Sequence, residues 1–311
     1  MTLSIHTQGL TRHFAGGFGV TDLDLAVPVG AIYGFLGPNG AGKTTTIRLL
    51  LGLLRPMRGT IELHGQILDR RHRQALAQVG ALVESPSLYP HLTGRQNLEV
   101  TRRLIDVPVA RIGEALAITD MGVAADRNVR DYSLGMRQRL AIALTLLGRP
   151  RLLILDEPAN GLDPAGILDM RQLLRRLTAE YGISVFVSSH QLGEIEQVAS
   201  HIGVLHEGRL RFQGTIAAMR THCRTRLQVH CADPVRATAL LEALGENVEH
   251  AGSDGHCIAV APGPRDGAEI NRLLVQSGIG VSRLAHEQAS LETFFFNLTR
   301  SSPSPVAQAT A

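Results

Sequence analysis

Hydrophobic and polar residues alternate in short segments over the first part of the chain, a pattern typical of β-strands. The opening residues MTLSIHTQGL alternate in this way, and further short β-rich runs occupy residues 1–85. Two almost continuous apolar runs follow, at residues 151–156 (RLLILD) and 184–189 (SVFVSS). Because strands that are buried on both faces read as unbroken apolar runs, these two segments predict strands of a parallel sheet. The chain is therefore expected to have an α/β fold.

Helical periodicity dominates the segment before the first of these two apolar runs, at about residues 86–150. Apolar positions recur at helical spacing over residues 93–105, 109–118 and 133–147. This pattern predicts a helical subdomain inside an α/β domain that extends over residues 1–215.

After Gly214 the pattern changes into a second, smaller set of elements. A strand, a helix, two strands, a helix and a final strand are predicted over residues 226–231, 234–244, 247–251, 257–261, 268–277 and 279–285. This β-α-β-β-α-β order predicts a small ferredoxin-like α+β domain over residues 216–300. Residues 301–311 are rich in Pro, Ser and Ala, and we expect them to form a flexible tail.

Composition places the chain among folded proteins with more than one domain. Its 311 residues, 44% of them hydrophobic, suffice for two domains and a sizeable core. The longest strongly apolar stretch, residues 140–147, is much shorter than the roughly 18 residues that span a bilayer, and the first residues lack the features of a signal peptide. Three cysteines show no metal-ligand spacing. These observations predict a cytoplasmic chain that does not itself cross a membrane.

The basic residues include one informative exception. A net charge of +3 is too small to indicate a nucleic-acid-binding protein. Among the 31 basic residues, however, Lys43 is the only lysine. Since an ammonium group is more compact than a guanidinium, a position that requires lysine is expected to be a narrow, phosphate-sized pocket.

Lys43 belongs to the segment GPNGAGKT at residues 37–44, which matches the phosphate-binding pattern G-x-x-x-x-G-K-[ST]. A strand-like run precedes the segment and a helix-like run follows it. The loop amides are expected to bind phosphate oxygens, Lys43 to reach the β- and γ-phosphates, and the Thr44 hydroxyl to bind Mg²⁺. A chance glycine-rich turn is the weaker interpretation. The predicted ATP-binding residues of this segment are Gly37, Pro38, Asn39, Gly40, Ala41, Gly42, Lys43, Thr44 and Thr45.

Two acidic residues, Asp156 and Glu157, stand at the end of the apolar run 151–156. A buried parallel strand delivers such residues to the edge of a sheet where ligands bind. Asp156 is expected to hold Mg²⁺, and Glu157 to act as the general base that polarises the attacking water. Alone, the pair would be interpreted as an ordinary helix start; together with the phosphate loop it indicates nucleotide hydrolysis.

With these motifs, the segment DYSLGM at residues 131–136 makes the chain resemble the ATP-binding cassette (ABC) ATPases over about residues 1–215. In that family a signature sequence stands at this place. Its retained positions are here Ser133 and Gly135, and the resemblance implies that they contact the γ-phosphate of ATP bound by the opposite protomer. A serine N-cap of an amphipathic helix is the simpler interpretation of Ser133, and the two interpretations are compatible.

Three further residues carry the resemblance. Asp163, in NGLDP at residues 160–164, matches the D-loop that crosses the family's dimer interface, although alone it would indicate a helix start. His190 matches the switch histidine that contacts the γ-phosphate; the alternative is a surface histidine at a strand end. Phe14 stands where the family stacks an aromatic ring on adenine, and His13 is a competing choice.

The chain departs from the family's usual pattern in two places. Glu84 stands where the family usually has a glutamine that links the Mg²⁺ site to the permease, and the signature is altered at Leu134 and Met136. Together with the segment PSLYP at residues 86–90, these features resemble the branch that contains bacitracin-resistance and lantibiotic-immunity exporters. Since a carboxylate strengthens a metal environment or pairs with basic residues of a permease, Glu84 is predicted to couple the metal site to the permease.

The resemblance implies the ATP-binding and ATP-hydrolysing subunit of an ABC exporter, with ATP and Mg²⁺ as ligands and Glu157, His190 and Lys43 as catalytic residues. It implies a homodimer, or a dimer with a closely related ATPase subunit, bound to a separate membrane permease at the inner face of the cell membrane, without nucleic acid. The alternative is a soluble ABC ATPase that remodels a macromolecule. The chain lacks the second cassette, long coiled-coil insertion and dense basic stripe expected of that alternative. A module that senses ATP without turnover conflicts with the presence of Asp156, Glu157 and His190.

Overall fold

The computed structural model describes residues 2–17, 19–69, 71–83, 87–221, 225–250, 257–288, 291–300 and 307–308. The strands are β1 (Leu3–His13), β2 (Gly19–Leu23), β3 (Ala26–Pro28), β4 (Ile32–Leu36), β5 (Arg58–Leu63), β6 (Gln66–Ile67), β7 (Val79–Leu82), β8 (Leu152–Asp156), β9 (Ser184–Ser189), β10 (His201–His206), β11 (Arg209–Thr215), β12 (Thr225–Cys231), β13 (Val248–His250), β14 (Cys257–Val260), β15 (Val281–Gln288) and β16 (Ala307–Gln308). The α-helices are α1 (Lys43–Leu50), α2 (Gly94–Leu104), α3 (Ala110–Ile118), α4 (Leu134–Leu146), α5 (Pro164–Ala179), α6 (Leu192–Glu196), α7 (Ile216–Thr221), α8 (Pro234–Ala243), α9 (Gly267–Gln276) and α10 (Leu291–Arg300). Within these described ranges, no helix has both the length and the hydropathy needed to span a membrane.

The chain divides into two compact units, residues 1–216 with 298–311 and residues 217–297. In the described part of the first unit, the central sheet has seven strands in the order β16-β11-β10-β4-β9-β8-β7. The strands from β10 to β7 are parallel, which confirms the predicted parallel sheet. Both β4 and β9 are fully buried, and Tyr33 of β4 stacks on Phe186 of β9 with ring centroids 5.6 Å apart. The parallel strands therefore present their carboxyl ends at one edge.

An antiparallel sheet in the order β2-β1-β5-β6, with β3 paired to β1, completes the β-structure of this unit among the described residues. The alternating residues at the beginning of the chain form β1, in which Ile5 and Leu10 are fully buried. Their side chains belong to the same hydrophobic core as Ile47 of α1 and Leu63 of β5. The core thus packs the phosphate-loop helix against the antiparallel sheet.

The helical segment predicted between the strands of the parallel sheet consists of α2, α3 and α4. Helix α2 begins after Thr93, whose side chain accepts a hydrogen bond from the Gln96 amide while the Gln96 side chain bonds the Thr93 amide, forming a capping box. Helices α3 and α4 begin after Val109 and Ser133, within the predicted ranges. Helices therefore occupy the three ranges in which the sequence predicts them.

The second unit contains β12, α8, β13, β14, α9 and β15 in the predicted order. Its sheet has the order β13-β14-β12-β15, and all neighbouring strands are antiparallel, as in a ferredoxin-like fold. Its core includes Leu227, Val229, Leu241, Ile258 and Leu274. The turn predicted between β13 and β14 lies outside the described residues. Of the predicted tail at 301–311, the structure describes only β16, which pairs with β11.

Candidate nucleotide-binding and catalytic site

Three neighbouring parallel strands lead into the predicted motifs at one edge of the central sheet. Strand β4 leads into the phosphate loop, β8 ends at Asp156, and β9 ends one residue before His190. Strand β9 lies between the other two, so that Leu36 pairs with Ser189 and Asp156 with Ser188. The strand order therefore brings together motifs that are distant in the sequence.

Residues 37–42 form the loop between β4 and α1. Gly42 caps α1 with a φ of 108°, a left-handed conformation that costs glycine little. A Cβ atom at Gly37 would lie 2.4 Å from the carbonyl oxygen of Leu205, so this position also requires glycine. The amino end of a helix therefore lies at this loop, an arrangement that suits the binding of an anion. Of the remaining predicted residues, Ala41 is buried, Pro38, Thr44 and Thr45 are half-buried, and Asn39 and Gly40 are exposed.

The side chain of Lys43 folds back over this loop and is 6% exposed. Its ammonium donates hydrogen bonds to the carbonyl oxygens of Gly37 at 2.8 Å and Pro38 at 3.3 Å. It also lies 3.2 Å from Oε1 of Glu157. The only lysine of the chain thus connects the phosphate loop to the residue predicted to be the general base.

Thr44 and Asp156, two of the predicted Mg²⁺ ligands, are directly hydrogen-bonded. The Thr44 hydroxyl donates to Oδ2 of Asp156 at 2.8 Å. A hydroxyl and a carboxylate are the hard oxygen donors that Mg²⁺ prefers, and the ion commonly binds one or two protein groups together with substrate phosphates. These two residues therefore fit the ion. Glu84, the third predicted ligand, lies outside the described residues.

Glu157 follows β8 and has a φ of 46°, a left-handed conformation that is uncommon for a residue other than glycine. Its Oε2 lies 3.0 Å from Nδ1 of His190, while Oε1 pairs with Lys43. The other imidazole nitrogen of His190, Nε2, lies 3.4 Å from the side-chain amide nitrogen of Gln191. Both carboxylate oxygens of Glu157 are therefore held beside the phosphate loop.

Ser188 also belongs to the site, although it is part of none of the predicted motifs. Its hydroxyl donates to Oδ1 of Asp156 at 2.5 Å and accepts a hydrogen bond from the backbone N–H of Glu157 at 2.9 Å. A sequence signal for this residue exists, because the two serines at the end of SVFVSS interrupt an otherwise apolar buried strand. That signal indicates buried hydroxyls without identifying their partners.

The signature residues lie at the beginning of α4. Ser133 is the N-cap, and its hydroxyl accepts a hydrogen bond from the amide of Met136 at 3.2 Å; Gly135 follows in the first turn. Asp163 caps α5 in the same way, with its carboxylate accepting from the amide of Gly166. A surface cleft brings Ser133, Gly135 and Asp163 together, and the described residues that line it include none from the phosphate loop. Both helix-start interpretations are therefore observed, and a single chain does not unite the signature with the phosphate loop.

Phe14 follows β1 and is 40% exposed. The guanidinium carbon of Arg12 lies 5.2 Å from the centroid of its ring. The competing residue His13 instead hydrogen-bonds through Nε2 to the Thr21 hydroxyl at 2.8 Å. Strand β2 borders the phosphate loop, since a Cβ atom at Gly42 would lie 2.9 Å from Cγ1 of Val20. Phe14, which lies between β1 and β2 in the sequence, therefore belongs to a strand connection whose second strand is adjacent to the phosphate loop.

Comparison with known proteins relates the whole chain to transport ATPases. A family profile described as ABC transporter matches residues 20–160. The chain is 39% identical over 299 residues to the bacitracin transport ATP-binding protein BcrA of Bacillus licheniformis. This match covers 96% of this chain and 98% of that protein. It is 37% identical over 203 residues to the lantibiotic transport ATP-binding protein SrtF of Streptococcus pyogenes. This second match covers 65% of this chain and 87% of that protein.

A solved structure with the same fold is the dimeric post-hydrolysis state of the ATP-binding cassette MJ0796 bound to ADP and Pi. It has a TM-score of 0.59 and 22% sequence identity, and the match covers 68% of this chain and 98% of that one. At this identity the match supports the fold of the nucleotide-binding region.

Proposed function

Because the chain belongs to the ABC transporter family of ATP-binding proteins and is the ATP-hydrolysing subunit of an exporter, we propose that it drives a separate membrane permease through ATP-dependent dimerisation. The observation that carries the proposal is the meeting of Lys43, Asp156, Glu157 and His190 at one edge of the parallel sheet. These residues provide a phosphate-binding cation, a carboxylate beside a hydroxyl, a general base and a group that orients the base.

ATP binding begins at the phosphate loop. The amides at the amino end of α1 and the Lys43 ammonium bind the β- and γ-phosphates, and Phe14 stacks on the adenine ring. The phosphates bring negative charge to the ammonium that is paired with Glu157 in the free protein. Binding therefore weakens the Lys43–Glu157 attraction and leaves Oε1 of Glu157 free to accept a hydrogen bond from the attacking water.

Hydrolysis then requires a base and stabilisation of charge. Glu157 accepts a proton from the attacking water, while its contact with His190 Nδ1 keeps the carboxylate oriented. Lys43 and the loop amides stabilise the charge that develops on the phosphoryl oxygens. His190 is assigned the γ-phosphate contact of the switch histidine, and it stands beside the base, with its Nδ1 3.0 Å from Oε2 of Glu157.

Thr44 and Asp156 are the residues that would hold Mg²⁺. Held there, Mg²⁺ would supply positive charge that compensates the negative charge of the phosphates. We propose that Glu84 is a further ligand of Mg²⁺ or that it links the metal site to the permease.

The ATP site is completed by a second copy of the chain. Ser133 lies at the amino end of α4, where its hydroxyl and the helix dipole suit a γ-phosphate, yet the cleft around it contains no phosphate-loop residue. A head-to-tail homodimer would place each signature against the opposite phosphate loop, with Asp163 between the two sites. The MJ0796 cassette, which has the same fold, is described as dimeric.

The transported substrate class follows from the relatives. BcrA and SrtF are named for bacitracin and lantibiotic transport, and the former matches this chain over nearly its whole length. We infer a peptide antibiotic or a related drug as the exported substrate, and a position at the cytoplasmic face of the membrane, without a role for nucleic acid.

Affinity capture tests the transporter assignment. The tagged Glu157→Gln variant, which is expected to remain in the ATP-bound dimer, is purified from detergent-solubilised cells, and the co-purifying chains are identified. The Lys43→Ala variant, which is expected not to bind ATP, is the matched control. One polytopic membrane protein in near-equal amount supports the proposal. Ribosomes, nucleic acid or soluble proteins instead of a membrane protein would contradict transport and leave the ATPase chemistry intact.

A further inference from the structure

Ser188 connects the two acidic residues that follow the apolar run of β8. Its side chain is fully buried. The hydroxyl donates to Oδ1 of Asp156 and accepts from the backbone N–H of Glu157, so that one oxygen atom bridges a side chain and a main-chain group. A hydroxyl can fill this position because it is both donor and acceptor, which an amide N–H or a carboxylate is not.

The bridge, together with Thr44, restrains Asp156. Oδ1 is bound by Ser188 and Oδ2 by the Thr44 hydroxyl, so the carboxylate cannot rotate without breaking one of the two bonds. The β8–β9 register places Ser188 directly opposite Asp156, which makes the contact a consequence of strand pairing. Without the hydroxyl, Oδ1 would lose a buried hydrogen-bond donor.

The same bridge restrains Glu157. The residue has a φ of 46°, a region that residues other than glycine seldom occupy unless the surroundings hold them there. The hydrogen bond from its N–H to Ser188 holds the backbone at this turn. This backbone conformation directs the Glu157 carboxylate toward Lys43 and His190.

We propose that Ser188 is a positioning residue for ATP hydrolysis, which holds the metal ligand Asp156 and the general base Glu157 in one fixed geometry. The inference rests on the proposed function, because it concerns residues to which that function assigns roles. Ser188 then acts through Asp156 and Glu157 and does not itself contact ATP.

The chain offers a matched control in Ser184, at the other end of the same strand. Ser184 is also fully buried, and its hydroxyl accepts hydrogen bonds from the Gly30 N–H at 2.8 Å and the Ser4 hydroxyl at 2.7 Å. Ser188→Ala and Ser184→Ala therefore remove the same atom from the same strand. Ser188→Thr retains the hydroxyl and serves as the rescue variant.

The experiment combines kinetics with two measurements that do not require turnover. Ser188→Ala is expected to lower kcat about 10- to 100-fold with little change in the affinity for ATP. It is expected to weaken Mn²⁺ binding in the presence of ADP, measured by electron paramagnetic resonance, about tenfold. In the nucleotide-free protein, amide-resolved hydrogen exchange is expected to accelerate at Glu157 in Ser188→Ala and at Gly30 in Ser184→Ala.

Support requires that Ser188→Thr restores most of kcat and that Ser184→Ala changes neither kcat nor Mn²⁺ binding. Equal behaviour of Ser188→Ala and Ser184→Ala in turnover, Mn²⁺ binding and exchange at Glu157 would overturn the inference. Absence of ATP hydrolysis by the wild-type protein would instead contradict the proposed function, and the exchange measurement would still decide the role of Ser188.

Discussion

The ammonium of Lys43 lies 3.2 Å from Oε1 of Glu157, so the phosphate-binding cation and the proposed general base are paired before ATP arrives. The two side chains are only 6% and 23% exposed, which strengthens their mutual attraction relative to a surface pair. ATP phosphates compete for the same ammonium. Occupancy of the phosphate loop and availability of the base are therefore linked by electrostatics within a single site.

Glu157→Gln tests the role of the base. The amide cannot accept a proton from water, while Lys43 and the loop amides remain available to bind phosphate. We expect ATP turnover to fall on the order of 10²-fold or more. The affinity for ATP, measured by equilibrium binding of a fluorescent analogue, is expected to be retained.

The neighbouring carboxylate of Glu194 provides the control for this change. Glu194 accepts a hydrogen bond from the Ser189 hydroxyl at 3.2 Å and has no assigned role in the reaction. Glu194→Gln is expected to leave turnover close to that of the wild type. If Glu157→Gln hydrolysed ATP at the wild-type rate, the base would have to be another group.

Ser133 tests whether the signature acts beyond capping a helix. Its hydroxyl caps α4, so Ser133→Ala is expected to lower the free energy of unfolding by about 1 kcal/mol. Ser133→Asn retains a good N-cap, yet it replaces the hydroxyl proposed to contact ATP of the partner protomer. We expect both variants to lower turnover at least roughly tenfold, and only the alanine variant to lower stability.

Thr93→Ala removes a comparable N-cap from α2 and controls for helix stability alone. Thermal unfolding and steady-state ATP hydrolysis are measured on all three variants. If Ser133→Asn hydrolysed ATP at the wild-type rate, Ser133 would serve only as a helix cap and would not contribute to hydrolysis.

Much of the site could be predicted because its chemistry is local in the sequence. The loop at residues 37–44 needs glycines, a lysine and a hydroxyl in consecutive order, and the helix starts at Ser133 and Asp163 need only a capping side chain. The apolar run of β8 likewise predicts burial on both faces, which the structure confirms for Leu152 to Leu155.

The remaining features depend on strand order and register, which a single sequence does not specify. Ser188 faces Asp156 because β8 and β9 are neighbours in a particular register, and nothing within SVFVSS identifies that partner. The left-handed backbone of Glu157 is equally hidden, since glutamate is not a residue that favours positive φ. The contact between Arg12 and Phe14 is likewise not predictable from the sequence, because it depends on the path that the chain takes after β1.

Arg12 is expected to influence nucleotide affinity through Phe14. Its guanidinium carbon lies 5.2 Å from the ring centroid, a cation–π arrangement that restrains the ring proposed to stack on adenine. Such contacts at exposed sites contribute about 0.5–1 kcal/mol, so Arg12→Ala is expected to raise the KM for ATP roughly 2- to 5-fold without changing kcat. Phe14→Ala is expected to raise KM further.

His13→Ala separates the two candidate aromatic residues in the same assay. His13 bonds Thr21 and is expected to have no effect on KM. A larger effect from His13→Ala than from Phe14→Ala would reassign the adenine contact to the histidine.

Glu99 makes the stability of the helical subdomain sensitive to acid. Hydrogen bonds from Arg102 and Arg103, at 2.7 Å and 2.6 Å, lower the pKa of its carboxyl from 4.5 to about 2. Because the folded state holds this pKa below its unfolded value, the stabilisation is complete above about pH 4.5 and is lost as the pH falls toward 2. Glu99→Gln is therefore expected to be less stable than the wild type at pH 7, by a small amount typical of exposed ion pairs. Urea unfolding at stepped pH should show this difference shrinking below pH 4.5 and weakening in high salt, whereas a difference independent of pH would exclude the ion pairs as its cause.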